Sequence, residues 1–294
     1  MTMMKNISNR LVVATDLDGT LLHTDKSLSD FTRQTLIHLQ EQGVKIIIAS
    51  GRPVNGISPI ADLLQLDKFG GIVLAYNGAQ IVDWSTKQLL YSKALPTSCI
   101  ATLYAQAKAN GLEILTYHDD FIVSEDCTHQ YVLRSMRANR LKPMQVDDFI
   151  HTVQSFDIYK CMIVGNPETI EQLEPQLQKQ MENQIDVFRS EPFYLECVPL
   201  GIDKGSGLQQ LFSSHASRST LHASLLIAFG DALNDIPMLR FASTSVAMSN
   251  AVPELQSIAT HITLSNDEDG VAHFLLEMIK NENEIMNIFS CQNQ

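Results

Sequence analysis

The sequence predicts an α/β fold, a doubly wound parallel sheet into which a smaller α+β unit is inserted. Apolar runs of strand length alternate with helical patterns up to about Trp84, and the same alternation returns after Pro199. Parallel strands need crossover connections, usually helices, so this order of elements favours a Rossmann-like sheet. Between these two segments the patterns predict half-buried strands with helices between or beside them. This mixture is typical of a separate α+β unit.

The first predicted strand ends in two aspartates. An apolar, β-branched run from residue 11 leads into Asp16 and Asp18, and Gly19 then lets the backbone turn. In open α/β sheets, ligands bind just beyond the carboxyl ends of the strands, so both side chains are candidates for chemistry. In the alternative interpretation they only end the strand and cap a turn. A calcium-binding EF-hand loop is disfavoured, because Ser27 stands where that loop requires a bidentate glutamate.

Three further elements complete the first segment of the core. They are a helix over residues 29–42, a strand over residues 44–49 and a strand over residues 72–75. The strand at 44–49 ends in the small polar cluster Ser50-Gly51-Arg52. After the next strand, Asn77-Gly78 between apolar runs is the strongest short-range turn signal in the chain.

The inserted unit is predicted over residues 85–189, so that the core consists of residues 1–84 and 190–294. Its expected strands cover residues 88–94, 112–117, 121–124 and 157–164. Its expected helices cover residues 97–110, 128–139 and 167–182. This mixture of paired strands and helices differs from the strict alternation on either side of it.

Past Pro199 the parallel-sheet pattern resumes. The expected elements are a helix over 204–212, a surface connection over 213–220, a strand over 225–229, short outer strands over 245–248 and 261–263, and a closing helix over 269–280. The helix begins at Lys204, and the strand at 225–229 runs into the polar segment Gly230-Asp231-Ala-Leu-Asn234-Asp235.

Composition narrows the possible partners. The chain has 294 residues, a formal net charge of −12 and 45% hydrophobic residues, so it is long enough to bury a large core. Such an acidic chain is a poor candidate for non-specific binding to nucleic acid or to an anionic membrane. No uninterrupted apolar stretch is long enough to span a bilayer, and the polar start makes no convincing signal peptide. We therefore expect a soluble protein.

The cysteines indicate the redox compartment. There are five of them, an odd number, and they are scattered without a Cys-x-x-Cys pair. This pattern favours free thiols in a reducing environment over a disulfide framework or a zinc site. The protein is therefore predicted to be cytoplasmic.

Polar clusters from separate parts of the chain are expected to meet at one edge of the sheet. They are Asp16, Asp18 and Thr20, then Ser50 and Gly51, then Lys204, and finally Asp231, Asn234 and Asp235. Four carboxylates cannot lie close together without a cation, and all-oxygen ligands suit Mg²⁺ better than zinc. A metal and a lysine together fit a phosphoryl group. One of the first two aspartates would attack phosphorus while the other transfers protons.

The same clusters resemble, in their order, the four motifs of haloacid dehalogenase-like phosphatases. In this sequence they read Asp16-Leu-Asp18-Gly-Thr20, Ser50-Gly-Arg52, Lys204 and Gly230-Asp231-x-x-Asn234-Asp235. The insert between the second and third motifs is similar to the large α/β cap domain of the Cof-type branch. The segment Phe193-Tyr194-Leu195-Glu196 further resembles the YidA-like sugar phosphatases.

The resemblance implies a role for each matched position. Asp16 is implied as the nucleophile and Asp18 as the general acid and base. The implied Mg²⁺ ligands are Asp16, Asp18, Asp231 and Asp235, and the implied phosphate-binding residues are Ser50, Gly51, Lys204 and Asn234. Further candidates for substrate contact are Thr20, Arg52, Asn77 and Glu196. For the last three of these an ordinary structural role is the alternative.

The function implied is a Mg²⁺-dependent phosphatase that hydrolyses small phosphorylated metabolites through an aspartyl-phosphate intermediate. Sugar phosphates are the expected substrates by resemblance alone. Two alternatives remain, a phosphomutase or phosphotransferase of the same fold and a sugar-phosphate-binding regulator without turnover. No nucleic-acid or membrane partner is expected, and the sequence leaves open whether the protein is a monomer or a homodimer.

Overall fold

A computed structural model describes the fold of residues 11–213 and 225–291, with side chains up to residue 280. Of the surface connection predicted over 213–220, residues 214–220 lie outside these ranges. In chain order the strands are β1 (Leu11–Thr15), β2 (Lys45–Ala49), β3 (Ile72–Ala75), β4 (Gln80–Asp83), β5 (Leu89–Ser92), β6 (Glu113–His118), β7 (Phe121–Ser124), β8 (Lys142–Gln145), β9 (Cys161–Val164), β10 (Ile185–Glu191), β11 (Tyr194–Pro199), β12 (Leu225–Gly230), β13 (Thr244–Ala247) and β14 (His261–Ile262). The helices are α1 (Asp30–Glu41), α2 (Val54–Leu63), α3 (Leu66–Phe69), α4 (Thr97–Ala109), α5 (Gln130–Asn139), α6 (Phe149–Val153), α7 (Pro167–Gln180), α8 (Lys204–Ser213), α9 (Ile236–Phe241), α10 (Pro253–Ile258) and α11 (Gly270–Cys291).

The larger sheet has the strand order β14-β13-β12-β1-β2-β3-β4-β5. From β14 to β3 all neighbours pair in parallel, whereas β3, β4 and β5 pair antiparallel. The chain moves outward from β1 in one direction through β2 and β3 and later in the other direction through β12 and β13. Crevices form where strand order reverses in this way, here beside β1. The predicted doubly wound parallel sheet is confirmed.

The central strands of this sheet are buried on both faces. All five residues of β1 are buried, and Ile46, Ile47 and Ile48 of β2 are 0% exposed. Burial of each isoleucine side chain stabilises the fold by roughly 1.5–3 kcal/mol, which is an upper figure because the unfolded chain already buries some surface. Polar side chains are therefore confined to the ends of these strands, where Asp16 and Ser50 follow.

The predicted start of the first helix and the predicted end of the last helix had different outcomes. Ser29 is the N-cap of α1, at the predicted start of this helix, and its Oγ accepts from the Thr32 N–H at 2.9 Å. At the other end of the chain, α11 continues to Cys291. The predicted end at Lys280 was therefore wrong. Residues 271–291 contain neither glycine nor proline, so nothing in that segment stops the helix.

The smaller sheet has the strand order β10-β11-β9-β6-β7-β8. One strand was expected in the wrong sheet: the pattern at residues 88–94 corresponds to β5, which pairs with β4 in the larger sheet. A short connection joins β4 to β5, and closing a short loop costs little entropy, so the local partner is favoured. The hairpin of β10 and β11 belongs to the smaller sheet and extends past residue 189.

The chain passes between the two sheets at residue 94. The Lys93 N–H donates to Ala79 O at 2.9 Å, in the unit that contains the larger sheet and is called the larger unit below. The Leu95 N–H donates to Ile158 O in the inserted unit at 2.7 Å. The return passage follows the end of β11. On this basis we propose that the inserted unit, called the cap below, spans residues 94–199 in place of the predicted 85–189.

The cap sheet has two different faces. Ile114 and Ile163 belong to the hydrophobic core inside the cap. Leu115, Tyr117 and Met162 belong to the hydrophobic cluster shared with the larger unit. Alternate residues of a strand point to opposite faces, so one face packs on the cap helices and the other lies against the larger unit. Side chains on that second face can reach a ligand held by the larger sheet.

Cys99, Cys127, Cys161 and Cys197 are free and buried, in agreement with the predicted free thiols. Burial raises the pKa of the Cys161 thiol to about 12, so this thiol is unreactive at neutral pH. In the part of the chain that the structure describes, no helix is both long and apolar enough to cross a membrane.

Candidate active site

The carboxyl ends of four strands of the larger sheet carry the predicted motifs. Asp16 follows β1, Ser50 follows β2, Tyr76 follows β3, and Asp231 follows β12. These strands are neighbours that pair in parallel, so their ends lie at one edge of the sheet. The position is the one at which open α/β sheets bind ligands.

Lys204 lies between two carboxylates at this edge. Its Nζ donates to Asp16 Oδ1 and to Asp235 Oδ1, at 2.6 Å in each case. Lys204 and Asp235 are 0% exposed and Asp16 is 6% exposed. Removing an ammonium group from water costs several kcal/mol unless the group is paired. The two carboxylates therefore hold the lysine in place, and the lysine holds both carboxylates close together.

Asp231 completes a cluster of three carboxylates. One oxygen from each of Asp16, Asp231 and Asp235 lies within 4.8 Å of the other two. Thr20 Oγ1 donates to Asp231 Oδ1 at 2.8 Å, which orients that carboxylate. Gly19 has a φ of +85°, and a Cβ on this residue would collide with the Asp231 carboxylate. A glycine is needed here for both reasons.

The pKa values of Asp16 and Asp231 lie above the ordinary value for an aspartate. Burial raises the pKa of Asp16 to about 8; Lys204 opposes the shift, and the neighbouring carboxylates add to it. Burial, with repulsion from Asp235, likewise raises the pKa of Asp231 to about 6. For Lys204 burial favours the neutral form, but Asp16 and Asp235 outweigh it, and the pKa lies above its usual value. A divalent cation among these oxygens would favour the ionised carboxylates.

The Asp18 side chain has cationic partners instead. Arg52 donates from Nε to Oδ2 and from Nη2 to Oδ1, at 2.6 Å in each case. Lys26 Nζ lies 2.8 Å from Oδ1. Burial alone would raise the pKa of Asp18, but the hydrogen bonds and charges of Arg52 and Lys26 outweigh burial and lower it. Asp16 and Asp18, two residues apart, are thus held in opposite electrostatic environments.

Two backbone hydrogen bonds join the turn after β3 to the loop after β2. The Tyr76 N–H donates to Arg52 O at 3.0 Å, and the Asn77 N–H donates to Ser50 O at 2.9 Å. Tyr76 and Asn77 have φ values of 51° and 56°, a left-handed conformation that few non-glycine residues adopt. Backbone strain of this kind is found at functional sites. In this conformation Asn77 Oδ1 accepts a hydrogen bond from Asn234 Nδ2 at 3.3 Å.

Two glycines allow this turn to approach α8. A Cβ on Gly78, which has a φ of +101°, would come within 2.9 Å of Asp203 O and 3.1 Å of the Gly207 Cα. A Cβ on Gly207 would lie 3.0 Å from the Gly78 Cα. The missing side chains permit a direct backbone contact, which places α8 and its first residue, Lys204, beside the turn.

A cavity of about 610 Å³ lies between these motifs and the cap. The predicted residues that line it are Asp16, Asp18, Ser50, Gly51, Arg52, Asn77, Glu196 and Asn234. The other predicted residues do not line the cavity but contact Asp16 or one another behind it, and they are Thr20, Lys204, Asp231 and Asp235. The structure brings all of these side chains into one connected region, and their individual roles stay predictions.

Sequence reasoning missed several residues of the cavity wall. They are Lys26 from the larger unit and Tyr117, Arg134, Lys160 and Arg189 from the cap. The signal for the cap residues was weak, because each is a single polar or aromatic side chain in or beside a short element. Only the packing of the cap sheet over the larger unit brings them to the cavity.

A comparison with known families covers almost the whole chain. Residues 13–275 match the sequence profile of the haloacid dehalogenase-like hydrolases. The chain belongs to the haloacid dehalogenase-like hydrolases. The resemblance inferred from the four motifs is thereby confirmed.

Relatives of this haloacid dehalogenase-like hydrolase match it over most of their length. The crystal structure of a haloacid dehalogenase-like hydrolase from Bacteroides thetaiotaomicron is 39% identical with a TM-score of 0.86, and the match covers 91% of this chain and 99% of that chain. A Streptococcus pyogenes serotype M6 protein, whose name proposes phosphatase activity, is 30% identical over 92% of this chain and 98% of its own length. The 5-amino-6-(5-phospho-D-ribitylamino)uracil phosphatase of Bacillus subtilis is 28% identical over 90% of this chain and 96% of its own length. With this family and these relatives, the chain is a phosphoric monoester hydrolase.

Proposed function

We propose that this hydrolase is a Mg²⁺-dependent phosphatase that acts on sugar phosphates and related small phosphomonoesters through an aspartyl phosphate on Asp16. The position of Asp16 carries this proposal. Its carboxylate lines the cavity, contacts Lys204 at 2.6 Å, and lies in the cluster with Asp231 and Asp235. A cytoplasmic location and a monomeric or homodimeric state stay predictions from the sequence.

The donor set supports Mg²⁺ as the cation. Asp16, Asp231 and Asp235 offer carboxylate oxygens within 4.8 Å of one another, and the cluster has no nitrogen or sulfur ligand. Such oxygen ligands suit hard divalent cations. In the proposed site, Asp18 adds its backbone carbonyl. A bound Mg²⁺ would neutralise charge on the phosphoryl oxygens and so reduce the repulsion between them and an attacking carboxylate.

The proposed reaction has two steps. First, a carboxylate oxygen of Asp16 attacks phosphorus, the bond from phosphorus to the ester oxygen breaks, and the leaving alcohol takes a proton from Asp18. A water molecule then gives a proton to Asp18 and attacks the aspartyl phosphate, which releases inorganic phosphate and restores Asp16. Lys204 balances the negative charge, and Ser50 with the Gly51 N–H holds phosphoryl oxygens.

The cap side of the cavity supports a polyhydroxylated leaving group. It offers hydroxyl and amide groups that can exchange hydrogen bonds with a sugar or polyol, namely Tyr117, Ser135, Asn139 and Ser190. Polar groups at fixed positions in a pocket are the usual basis of ligand orientation and specificity. The Bacillus subtilis relative is named for a substrate with a phosphorylated ribityl group, which is an ester of this class.

Release of inorganic phosphate by the purified protein tests the proposal. A panel of sugar phosphates, pyridoxal phosphate and nucleotides would be assayed with Mg²⁺ and with the metal removed by a chelator. We expect turnover only with Mg²⁺ and the highest kcat/KM for sugar phosphates. Transfer of the phosphoryl group to a sugar hydroxyl without phosphate release would favour a phosphomutase. Binding of a sugar phosphate without any turnover would favour a regulator.

A further inference from the structure

The loop after β2 has three consecutive carbonyl groups, each with its own donor. Backbone N–H groups of residues 76–77 bind the carbonyls of Ser50 and Arg52, at 2.9 and 3.0 Å. The middle carbonyl, of Gly51, accepts from the Nζ of Lys160 at 2.8 Å. Two of the three donors belong to the larger unit, whereas the third comes from the cap. This loop is therefore completed by a side chain of the other unit.

Lys160 is a buried cation with a fixed position. Lys160 is 4% exposed, and its Nζ lies 3.3 Å from Glu196 Oε2. Glu196 is only 9% exposed. The ammonium also lies 5.6 Å from the centre of the Tyr117 ring. A buried ammonium is costly unless it is paired and hydrogen-bonded. The hydrogen bond to the Gly51 carbonyl therefore helps to stabilise the charge of Lys160. Lys160 has no other role in the proposed reaction.

The contact reaches the hydroxyl group of Ser50 through a single peptide group. The Gly51 carbonyl and the Arg52 N–H belong to the same peptide, and this N–H donates to Ser50 Oγ at 3.2 Å. A cation on the carbonyl polarises the peptide and strengthens its N–H as a donor. Since Ser50 Oγ accepts this hydrogen bond, its own proton points elsewhere and is available to an acceptor in the cavity, which Ser50 lines.

We propose that Lys160 is a positioning residue for phosphate, which acts from the cap through the Gly51 carbonyl on the Ser50–Gly51 loop. The inference rests on the proposed phosphatase function, because phosphate is the ligand that the loop would hold. The loop has all three of its carbonyl partners only when the cap is seated on the larger unit. Cap position and phosphate affinity are thereby coupled through Lys160.

The affinity for inorganic phosphate tests this role directly, because inorganic phosphate has no leaving group for the cap to contact. Its inhibition constant would be measured against hydrolysis of p-nitrophenyl phosphate with Mg²⁺ present. In Lys160→Met we expect the inhibition constant and KM to rise about tenfold, the scale of one hydrogen bond to a charged group. Lys160→Arg keeps a cationic donor and should stay within about threefold of the wild type.

Two controls separate this effect from simpler causes. Lys160→Met leaves the Glu196 carboxylate without its cation, and that charge could itself repel phosphate. In the double variant Lys160→Met/Glu196→Gln this repulsion is removed, and we expect the loss of phosphate affinity to persist. Lys179→Met removes an exposed cap lysine of the same charge and should leave phosphate affinity unchanged.

Two results would overturn the inference. One is an unchanged inhibition constant in the double variant. The other is a rise in KM confined to esters with large leaving groups, which would make Lys160 a leaving-group contact. If the wild type hydrolyses no ester, the proposed function fails, and the role of Lys160 is then decided separately by titration calorimetry of inorganic phosphate with the same variants. Equal affinity of the wild type and the double variant in that titration would reject the role.

Discussion

Arg52 and Asp18 form a bidentate pair, from Nε to Oδ2 and from Nη2 to Oδ1, with both distances 2.6 Å. Charge-assisted pairs with this geometry are among the stronger hydrogen bonds in proteins. The pair occupies the carboxylate that serves as general acid and base in the proposed reaction. We expect a phosphate group in the cavity to compete for the same guanidinium, and such competition would link substrate binding to the protonation of Asp18.

Replacing Arg52 by alanine should therefore raise the pKa of Asp18. The variant loses two hydrogen bonds and a positive charge that lower this pKa, while the burial that raises it remains. The limb of the kcat/KM profile that Asp18 sets should move to higher pH, and KM should increase. Arg33→Ala is the matched control, because Arg33 pairs with the exposed Asp30 on α1. A profile of Arg52→Ala that coincides with the wild type would contradict the prediction.

Asp16→Asn should lower kcat by at least about a thousandfold, because an amide oxygen is a poor nucleophile and single removal of a nucleophile has effects of this size or larger. Phosphate release from a sugar phosphate measures the loss. Asp147→Asn, which removes an exposed aspartate of the cap, should retain wild-type activity. In acid-quenched wild-type samples, mass spectrometry should detect a phosphoryl group on the peptide that contains Asp16. Activity of Asp16→Asn near that of the wild type would exclude this residue as the nucleophile.

Mg²⁺ affinity should increase with pH. Without a cation the pKa of Asp16 is about 8 and that of Asp231 about 6, so the metal must displace protons at lower pH. The apparent Kd should fall by up to about tenfold for each pH unit between about 6 and 8 and then level off, as expected for displacement of one proton. Titration calorimetry in two buffers of different ionisation enthalpy counts the protons released. Affinity that is independent of pH would be inconsistent with these pKa values.

Stability of the metal-free protein should show the same titration. Between the ordinary pKa of 3.8 and the folded-state pKa of about 8, folded Asp16 holds a proton that the unfolded chain has lost. The free energy of unfolding therefore decreases as the pH rises through this interval. Saturating Mg²⁺ should raise Tm more at pH 8 than at pH 6, and Asp16→Asn should reduce that difference. An equal gain at both pH values in the wild type would contradict the assignment.

Gly207→Ala should destabilise the protein by about 1–3 kcal/mol, the usual cost of overpacking. The new Cβ would lie 3.0 Å from the Gly78 Cα and 3.0 Å from Leu74 Cδ2. Alanine in a free helix would instead be stabilising by about 1 kcal/mol, so the sign of the change reports the contact. Urea unfolding measures the change, and kcat/KM should fall because Lys204 moves with α8. Gln210→Ala, at an exposed position of the same helix, should change stability by less than about 0.5 kcal/mol.

The elements that the sequence predicted well are those with a strong local pattern. β1 and β2 are apolar on both faces, so their identity follows from a few adjacent residues, and Ser29 marks the start of α1 through its own hydrogen bond to Thr32. The strand at 88–94 was recognised but placed in the wrong unit, because its pattern does not say which sheet it joins. β8 went unrecognised for a related reason: it is an edge strand that contains Pro143 and buries little apolar surface.

The candidate site divides in the same way. Asp16 and Asp231 stand out because each directly follows a buried strand, within which an unpaired charged side chain would be costly. Lys160 carries no such mark, since it precedes a short strand and contacts Gly51, which is 109 positions away. A contact of this kind exists only after two units have folded and packed together.

By itself, the sequence determined the fold class, the central buried strands of the larger sheet and the acidic residues at their ends, because burial and backbone conformation act on neighbouring residues. Only the tertiary structure decided which charges meet: Arg52 with Asp18, Lys204 between Asp16 and Asp235, and a cap lysine on the loop after β2. Each of these contacts depends on the distance between separate segments, and that distance is set by how sheets and helices pack. No local pattern of residues specifies it.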